Sequence, residues 1–349
     1  MKIAVVGAGI FGVTIALKLD GNHDVTLYES NKDILTAASR TNQLRLHRGY
    51  HYPRSPETVS TLLKSINFFI DEYRDAVVDD YDHHYCISKE RSLVTPERYL
   101  EFCDEFNLDY EIIDNFRHVN NNKIALTIKV KESLLDYRGV YDTCWRRLEK
   151  SSVKKIWATR FTKKDVAKFD VVLNCTYANI NELLDEERRQ KYQFEICEKI
   201  GVQMPIDMRN KSIVVMDGPF MCVDPYGRTG LSLLGNVVHA IHSTNVGHFP
   251  KVPTDISKDL NRGFVVNPSV SNWDKFIEVG KEYIPSLTSA VYKGSMYTVR
   301  AVLPNMSDTD GRPTVVSSGG SKIINVFSGK IDTCVLAAID VINKISEME

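Results

Sequence analysis

The first twelve residues, Met1 to Gly12, read MKIAVVGAGIFG, and they restrict the fold more than any other stretch. Ile3 to Val6 are an apolar, β-branched-rich run, as expected of a strand buried on both faces of a parallel sheet. Gly7, Gly9 and Gly12 follow at once with G-x-G-x-x-G spacing. Gly7 permits a tight turn, Gly9 lets a pyrophosphate approach bare backbone, and Gly12 lets the next helix lie close to the strand. That helix aims its unpaired N–H groups and partial positive charge at the phosphates, so Ile10 and Phe11 at its start are counted with the glycines as cofactor contacts. Val13 to Leu19 are helical in pattern, Gly21 to Asp24 make a turn, and Val25 to Tyr28 form a second strand ending in Glu29. An acid at that tip is where the adenosine ribose hydroxyls of a dinucleotide are held.

At 349 residues the chain has room for two domains or one elaborated domain. A formal charge of −1 implies no nucleic-acid or anionic-membrane partner. Seven cysteines are scattered without any C-x-x-C pair, which suits a reduced cytoplasmic chain and not a disulfide framework or zinc site. The apolar start is broken by its glycines and reaches Lys18 and Asp20 without a cleavage-like site, so no signal peptide is expected. No apolar run reaches the roughly 18 residues that a membrane span needs. Adjacent His83 and His84 are read as core or surface histidines, and no metal is expected. No H-E-x-x-H, P-loop or Ser/His/Asp spacing occurs.

After Glu29 the next strand is delayed by Thr36 to Arg54, TAASRTNQLRLHRGYHYPR, a polar, aromatic and basic loop of the length that is usually functional. Here the sequence resembles the D-amino-acid oxidase (DAO) family of FAD-dependent oxidoreductases, which includes glycine oxidase, sarcosine oxidase and L-2-hydroxyglutarate oxidase. The resemblance implies that Ser39, Arg40, Thr41 and Asn42 run along the flavin. Arg45 and Arg48 are similar to an arginine pair of the sarcosine oxidases, one of which holds substrate carboxylate. Gly49 to Pro53, GYHYP, are similar to the G-I-Y-Y of the hydroxyglutarate oxidases, and His47, Arg48 and Tyr50 become candidate catalytic residues.

Phe169 to Asn174, leading into Cys175 and Thr176, resembles the family's D-x-V-V-x-a-x-G element, whose small residues lie against the cofactor; Tyr177 stands where glycine is usual. From Ile200 to His242 short strands follow one another through turns, as in antiparallel sheet, and the resemblance makes that sheet a roof over the flavin. Tyr226, His239 and His242 could point beneath it, although histidines three apart on a strand face opposite ways. Ser295 to Thr298, SMYT, resembles the C-M-Y-T of sarcosine oxidases, whose cysteine carries a covalent flavin; serine cannot form that thioether, so noncovalent FAD is expected. Arg300, Pro304, Gly311, Arg312 and Pro313 resemble the R-P…D-G-x-P element before a terminal hairpin, and Ser328 to Thr333 start the last helix. The resemblance implies that Gly329, Lys330, Ile331, Asp332 and Thr333 face the flavin N1/C2 edge, with Lys330 supporting the charge left by reduction. It also implies that Arg300, with Arg48 as alternate, binds an anionic group of the substrate.

The expected fold is α/β: a Rossmann-like FAD-binding domain with a parallel sheet, assembled from residues 1–75, 125–190 and 290–349, plus an antiparallel-sheet α+β substrate domain from 76–124 and 191–289. The expected activity is hydride removal from the carbon bearing an amine or hydroxyl of a small or sugar-linked, anionic substrate. A non-redox FAD enzyme of the nucleotide-sugar mutase type and a non-catalytic flavin-binding protein share the same N-terminal fingerprint.

Overall fold

In the computed structural model, which describes residues 1–306, 308 and 311–348, the opening apolar run is the strand Lys2–Val6 inside a six-stranded sheet. It pairs in parallel with Asp24–Tyr28 on one side and Val171–Asn174 on the other. Beyond the former lies Lys154–Ile156, and beyond the latter lie Ile323–Phe327 and then Val315–Ser318. Only that last strand runs antiparallel to its neighbour. Parallel strands are covered on both faces, which is why they read as unbroken apolar runs. The helix Ile10–Leu19 packs against the C-terminal helix Cys334–Ser346, and one core contains Ile3, Val13, Ala16, Val335 and Ala338.

The second sheet has nine strands. Its path runs Ile241–Gly247, Tyr192–Gln203, Ser232–Asn236, Met221–Pro225, Lys211–Met216, Asp82–Ser88, Ile124–Val130, Tyr110–Ile112, and Val291–Val302 also pairs along Tyr192–Gln203. All pairs are antiparallel except Lys211–Met216 beside Asp82–Ser88. Hairpin neighbours must reverse direction, whereas two strands brought together from distant segments are free to run parallel. Two strands also cross the boundaries read from the sequence. Ile124–Val130 and Val291–Val302 were assigned with the nucleotide segments from 125 and 290, yet both hydrogen-bond into the roof.

Alternation along the roof strands gives two faces. Met296 and Leu233 join the core that contains Ile3 and Val5, so their face looks toward the nucleotide sheet. Ile200, Val202 and Leu234 look the other way, onto Phe276, Ile284 and Leu287. A short three-stranded sheet, Arg45–Leu46, Ser133–Leu135 and Val77–Val78, anchors the long loop between the two layers. Among the described residues no helix is long and apolar enough to cross a membrane.

Candidate active site

Gly7 adopts φ +98°, and a Cβ there would lie 2.7 Å from the Cys175 carbonyl oxygen. A Cβ on Gly12 would lie 1.8 Å from the Gly7 carbonyl oxygen, so the helix reaches the strand only because the position is glycine. Around Gly9 the space is open: chain neighbours apart, a Cβ would meet only Ser39 Oγ, at 3.3 Å. Ser39 Oγ accepts a hydrogen bond from Ile10 N at 3.0 Å. Glu29 is clasped to the glycine turn, with Oε2 accepting from Ala8 N at 2.8 Å and Oε1 from Asn31 N at 2.8 Å. Thr176 borders Gly7 and donates its hydroxyl to Asn174 Oδ1 at 2.7 Å. Tyr177, in place of the family's glycine, keeps the left-handed backbone with φ +52°. That conformation costs a non-glycine residue about 1–2 kcal/mol, and the Tyr177 hydroxyl offsets it by accepting from Ala301 N at 3.0 Å and donating to Ala301 O at 3.1 Å.

The loop from Thr36 to Arg54 is turned back on itself by Asn42, whose amide donates to Ala38 O and whose Oδ1 accepts from Leu44 N. Asn42 therefore shapes the loop with its own side chain. Arg40 lies 5.3 Å from the Tyr137 ring centre, against Gly263. Arg40 Nε, Thr41 Oγ1, Gln43 Oε1, Arg45 Nε, His47 Nδ1 and Arg48 Nε are all buried without a hydrogen-bond partner. Buried polar atoms are nearly always paired, so such a concentration in one short segment marks a surface shaped for a polar ligand. A dinucleotide fits what surrounds it: the glycine turn and helix start would hold the pyrophosphate, Glu29 the ribose, and Ser39 to Thr41 the flavin side.

Charged groups from distant segments converge on this loop. Arg45 Nη2 donates to Asp224 Oδ2 at 2.6 Å, and Asp224 also accepts from Gln43 Nε2 at 2.7 Å and Ser212 Oγ at 2.6 Å. Despite burial, the Arg45 guanidinium and these donors bring the Asp224 carboxyl down to about 2. Glu132 accepts from Arg48 N at 2.9 Å and from the Tyr85 hydroxyl at 2.6 Å, and burial raises its pKa. His47 and His51, their ring centres 5.4 Å apart, are held neutral by burial and by the nearby cations Arg45 and Lys330. Lys330, 281 positions further along from Gly49 in the terminal turn, sits with its ammonium 4.5 Å from the Tyr52 ring centre. Burial pushes Lys330 down and Asp332 up, and Asp332 is fully buried with neither carboxyl oxygen hydrogen-bonded. Gly329 N donates to Thr314 Oγ1 at 2.9 Å and Thr333 Oγ1 donates to Lys330 O at 2.7 Å; Ile331 completes the turn into the helix.

Other sequence candidates lie differently. Tyr50 gives its hydroxyl to Asp109 O at 2.5 Å and stacks on Tyr85, so its polar end is engaged away from the loop's unpaired atoms. Arg300 uses Nε and Nη2 on Glu195, its cross-strand neighbour. The Arg48 guanidinium, by contrast, makes no ion pair among the described residues. Ser295 and His242 are on the far face of the roof, donating to Glu198 at 2.5 Å and paired with it at 2.8 Å. Sequence reasoning passed over Gln43, Glu132, Lys199 and Asp224; the alternation of Glu195, Cys197 and Lys199 along one strand was the available signal for Lys199. Two surface clefts, one beside Arg74 and Arg146 and one beside Lys163 and Phe249, are lined by none of these residues.

The profile of the FAD dependent oxidoreductase family DAO matches residues 2–124. The FAD-dependent monooxygenase kojA of Aspergillus flavus is 24% identical to the chain, the alignment covering 100% of it and 86% of that protein. Glycine oxidase from Geobacillus kaustophilus superposes with a TM-score of 0.72 at 13% identity, covering 99% of this chain and 94% of that one. The FAD-bound L-α-glycerophosphate oxidase of Mycoplasma pneumoniae superposes with a TM-score of 0.67 at 13% identity, over 98% and 94%. At these identities the solved structures share the fold.

Proposed function

We propose that this chain, an FAD-dependent oxidoreductase of the DAO family, oxidises a small anionic substrate at the carbon bearing its amine or hydroxyl. The observation that carries the reading is the row of buried polar atoms from Arg40 to Arg48 that have no hydrogen-bond partner among the described residues, ending in a guanidinium that makes no ion pair among them. Gly7, Gly9, Gly12, Glu29, Ser39, Arg40, Thr41 and Thr176 would hold the cofactor, together with the turn from Gly329 to Thr333. When bound, FAD supplies the acceptor for the hydride. Arg48 receives the substrate's anionic group on its planar fork, and the half-exposed Arg300 adds its remaining donors. Fixing that group orients the oxidisable carbon. His47 is neutral, and with its Nδ1 3.6 Å from Glu132 Oε1 the ring can take the proton that leaves the amine or hydroxyl with that carboxylate beside it. Lys330 supports the negative charge that arrives with the electrons. Scattered thiols without disulfides suit a cytoplasmic setting.

A second reading, favoured by the name of the Aspergillus flavus relative, is a monooxygenase that draws its electrons from a reduced nicotinamide. Anaerobic titration separates the two. A 2-hydroxy acid or amino acid from a panel should bleach the yellow protein; bleaching by NADH or NADPH alone would favour the monooxygenase, and no bleaching by either would favour a non-redox or binding role. The colour should pass entirely into the supernatant on acid precipitation, as expected where the SMYT stretch has serine in place of the flavin-bearing cysteine; flavin left on the pellet would contradict noncovalent FAD.

A further inference from the structure

Along the roof strand Tyr192–Gln203, Glu195, Cys197, Lys199 and Gly201 share the face that looks toward the nucleotide sheet, since Lys199 pairs with Met296 and Gly201 with Leu233, both in that sheet's core. Two arginines that border this face have carboxylates of their own: Arg300 is tied to Glu195, and Arg45 to Asp224. Lys199 has none. Its ammonium makes no hydrogen bond or ion pair among the described residues. Its electrostatic neighbours are Cys197, Cys222, Asp224 and a second cation, Arg300, and burial holds its pKa below the ordinary lysine value. Nearby, Gln43 Nε2 touches Cys222 and Asp224 while Gln43 Oε1 is buried and unbonded. A half-buried ammonium that makes no hydrogen bond among the described residues, with a second cation beside it, is a place where an arriving anion is stabilised.

We propose that Lys199 is a specificity-determining residue that binds a second anionic group of the substrate, so that the site prefers a compound with two acidic groups over its one-acid analogue. The inference rests on the preceding reading, in which Arg48 holds the first group. Arg48 belongs to the long loop and Lys199 to the roof, and neither has an ion-pair partner among the described residues, so a substrate held by both would carry an anionic group for each. Arg300, already neutralised by Glu195, cannot substitute for Lys199 as an uncompensated charge.

Binding is read on the FAD-loaded protein from the change in flavin absorbance, titrating propionate against succinate and glutarate. The two dicarboxylates are the one-acid probe extended by a second carboxylate at two spacings. At least one of them should bind the wild-type chain about tenfold more tightly or better than propionate, as expected of a desolvated charge pair. Lys199→Met and Lys199→Gln should abolish that preference with propionate binding retained, and Lys199→Arg should keep it. Flavin content per chain checks that each variant is folded. Equal affinity of the wild-type chain for the one-acid and two-acid probes, or a preference that survives in both neutral variants, overturns the role of Lys199. Arg48→Met distinguishes the underlying reading: if propionate perturbs the wild-type flavin and binds this variant unchanged, the assignment of the first group to Arg48 fails, and the pairing with Lys199 fails with it.

Discussion

Lys330 is half-buried, its ammonium over the Tyr52 ring with Asp332 as its charge neighbour. A cation at the start of a helix works against the helix dipole, and burial has already lowered the pKa of its ammonium. If its role is to balance charge on the reduced cofactor, Lys330→Met should lower the flavin reduction potential and slow reduction by substrate while FAD occupancy stays near normal. The sign with pH follows: the charge is present below the lowered pKa and lost as pH rises through it, so the wild-type potential should approach that of the variant at alkaline pH. Potentiometric titration of both proteins across that range checks this, and identical potentials at neutral pH would return Lys330 to a packing role. Residue by residue, the glycines and Glu29 were legible because each answers a local backbone or ligand requirement. Tyr177 was flagged as a departure, and the structure shows the left-handed backbone retained with a tyrosine that uses its hydroxyl to hold a roof strand.

At the level of elements, the long loop and the roof are clamped together by Arg45 and Asp224, both almost wholly buried. Asp224→Asn leaves the guanidinium with only Glu132, 3.9 Å away, as counter-charge, a loss of about 3 kcal/mol, and should loosen the loop that carries Thr41 and Arg48. The pH dependence has a definite sign. Because the folded pKa of about 2 lies below that of an ordinary aspartate, about 3.9, the unfolded chain binds more protons between them. The carboxylate therefore contributes about 2 kcal/mol above roughly pH 4 that is lost as pH falls toward 2. Thermal melts from pH 6 downward should show a steeper acid limb for the wild-type chain than for Asp224→Asn; parallel limbs would mean that the clamp adds nothing. The periodicity revealed that these strands and helices exist, but not every partner. Val291–Val302 reads as an ordinary strand, and only its pairing with Tyr192–Gln203 assigns it to the roof.

For the whole molecule, residues 2–124 carry the family's profile, yet they cannot complete the nucleotide sheet. Val171–Asn174 and Ile323–Phe327 lie to one side of the first strand, and Cys334–Ser346 covers the helix that follows it. A fragment of residues 1–124 should therefore emerge from gel filtration without FAD and without a cooperative melt, while the intact chain keeps its yellow colour. Stable flavin binding by that fragment would show the later segments to be dispensable. What the sequence determined by itself was the chemistry that a few consecutive residues can enforce. A glycine permits φ +98° at Gly7 and a close helix approach at Gly12, an apolar run makes a buried strand, and a serine in the SMYT stretch rules out a thioether. The tertiary structure decided which charges meet. It tied Arg300 to Glu195 and Arg45 to Asp224, turned Ser295 and His242 toward Glu198, and left Arg48 and Lys199 without an ion-pair partner among the described residues. Local sequence encodes alternation and turn geometry, whereas the partner of a buried charge depends on the register between strands about a hundred residues apart, and that register is set only when the whole core packs.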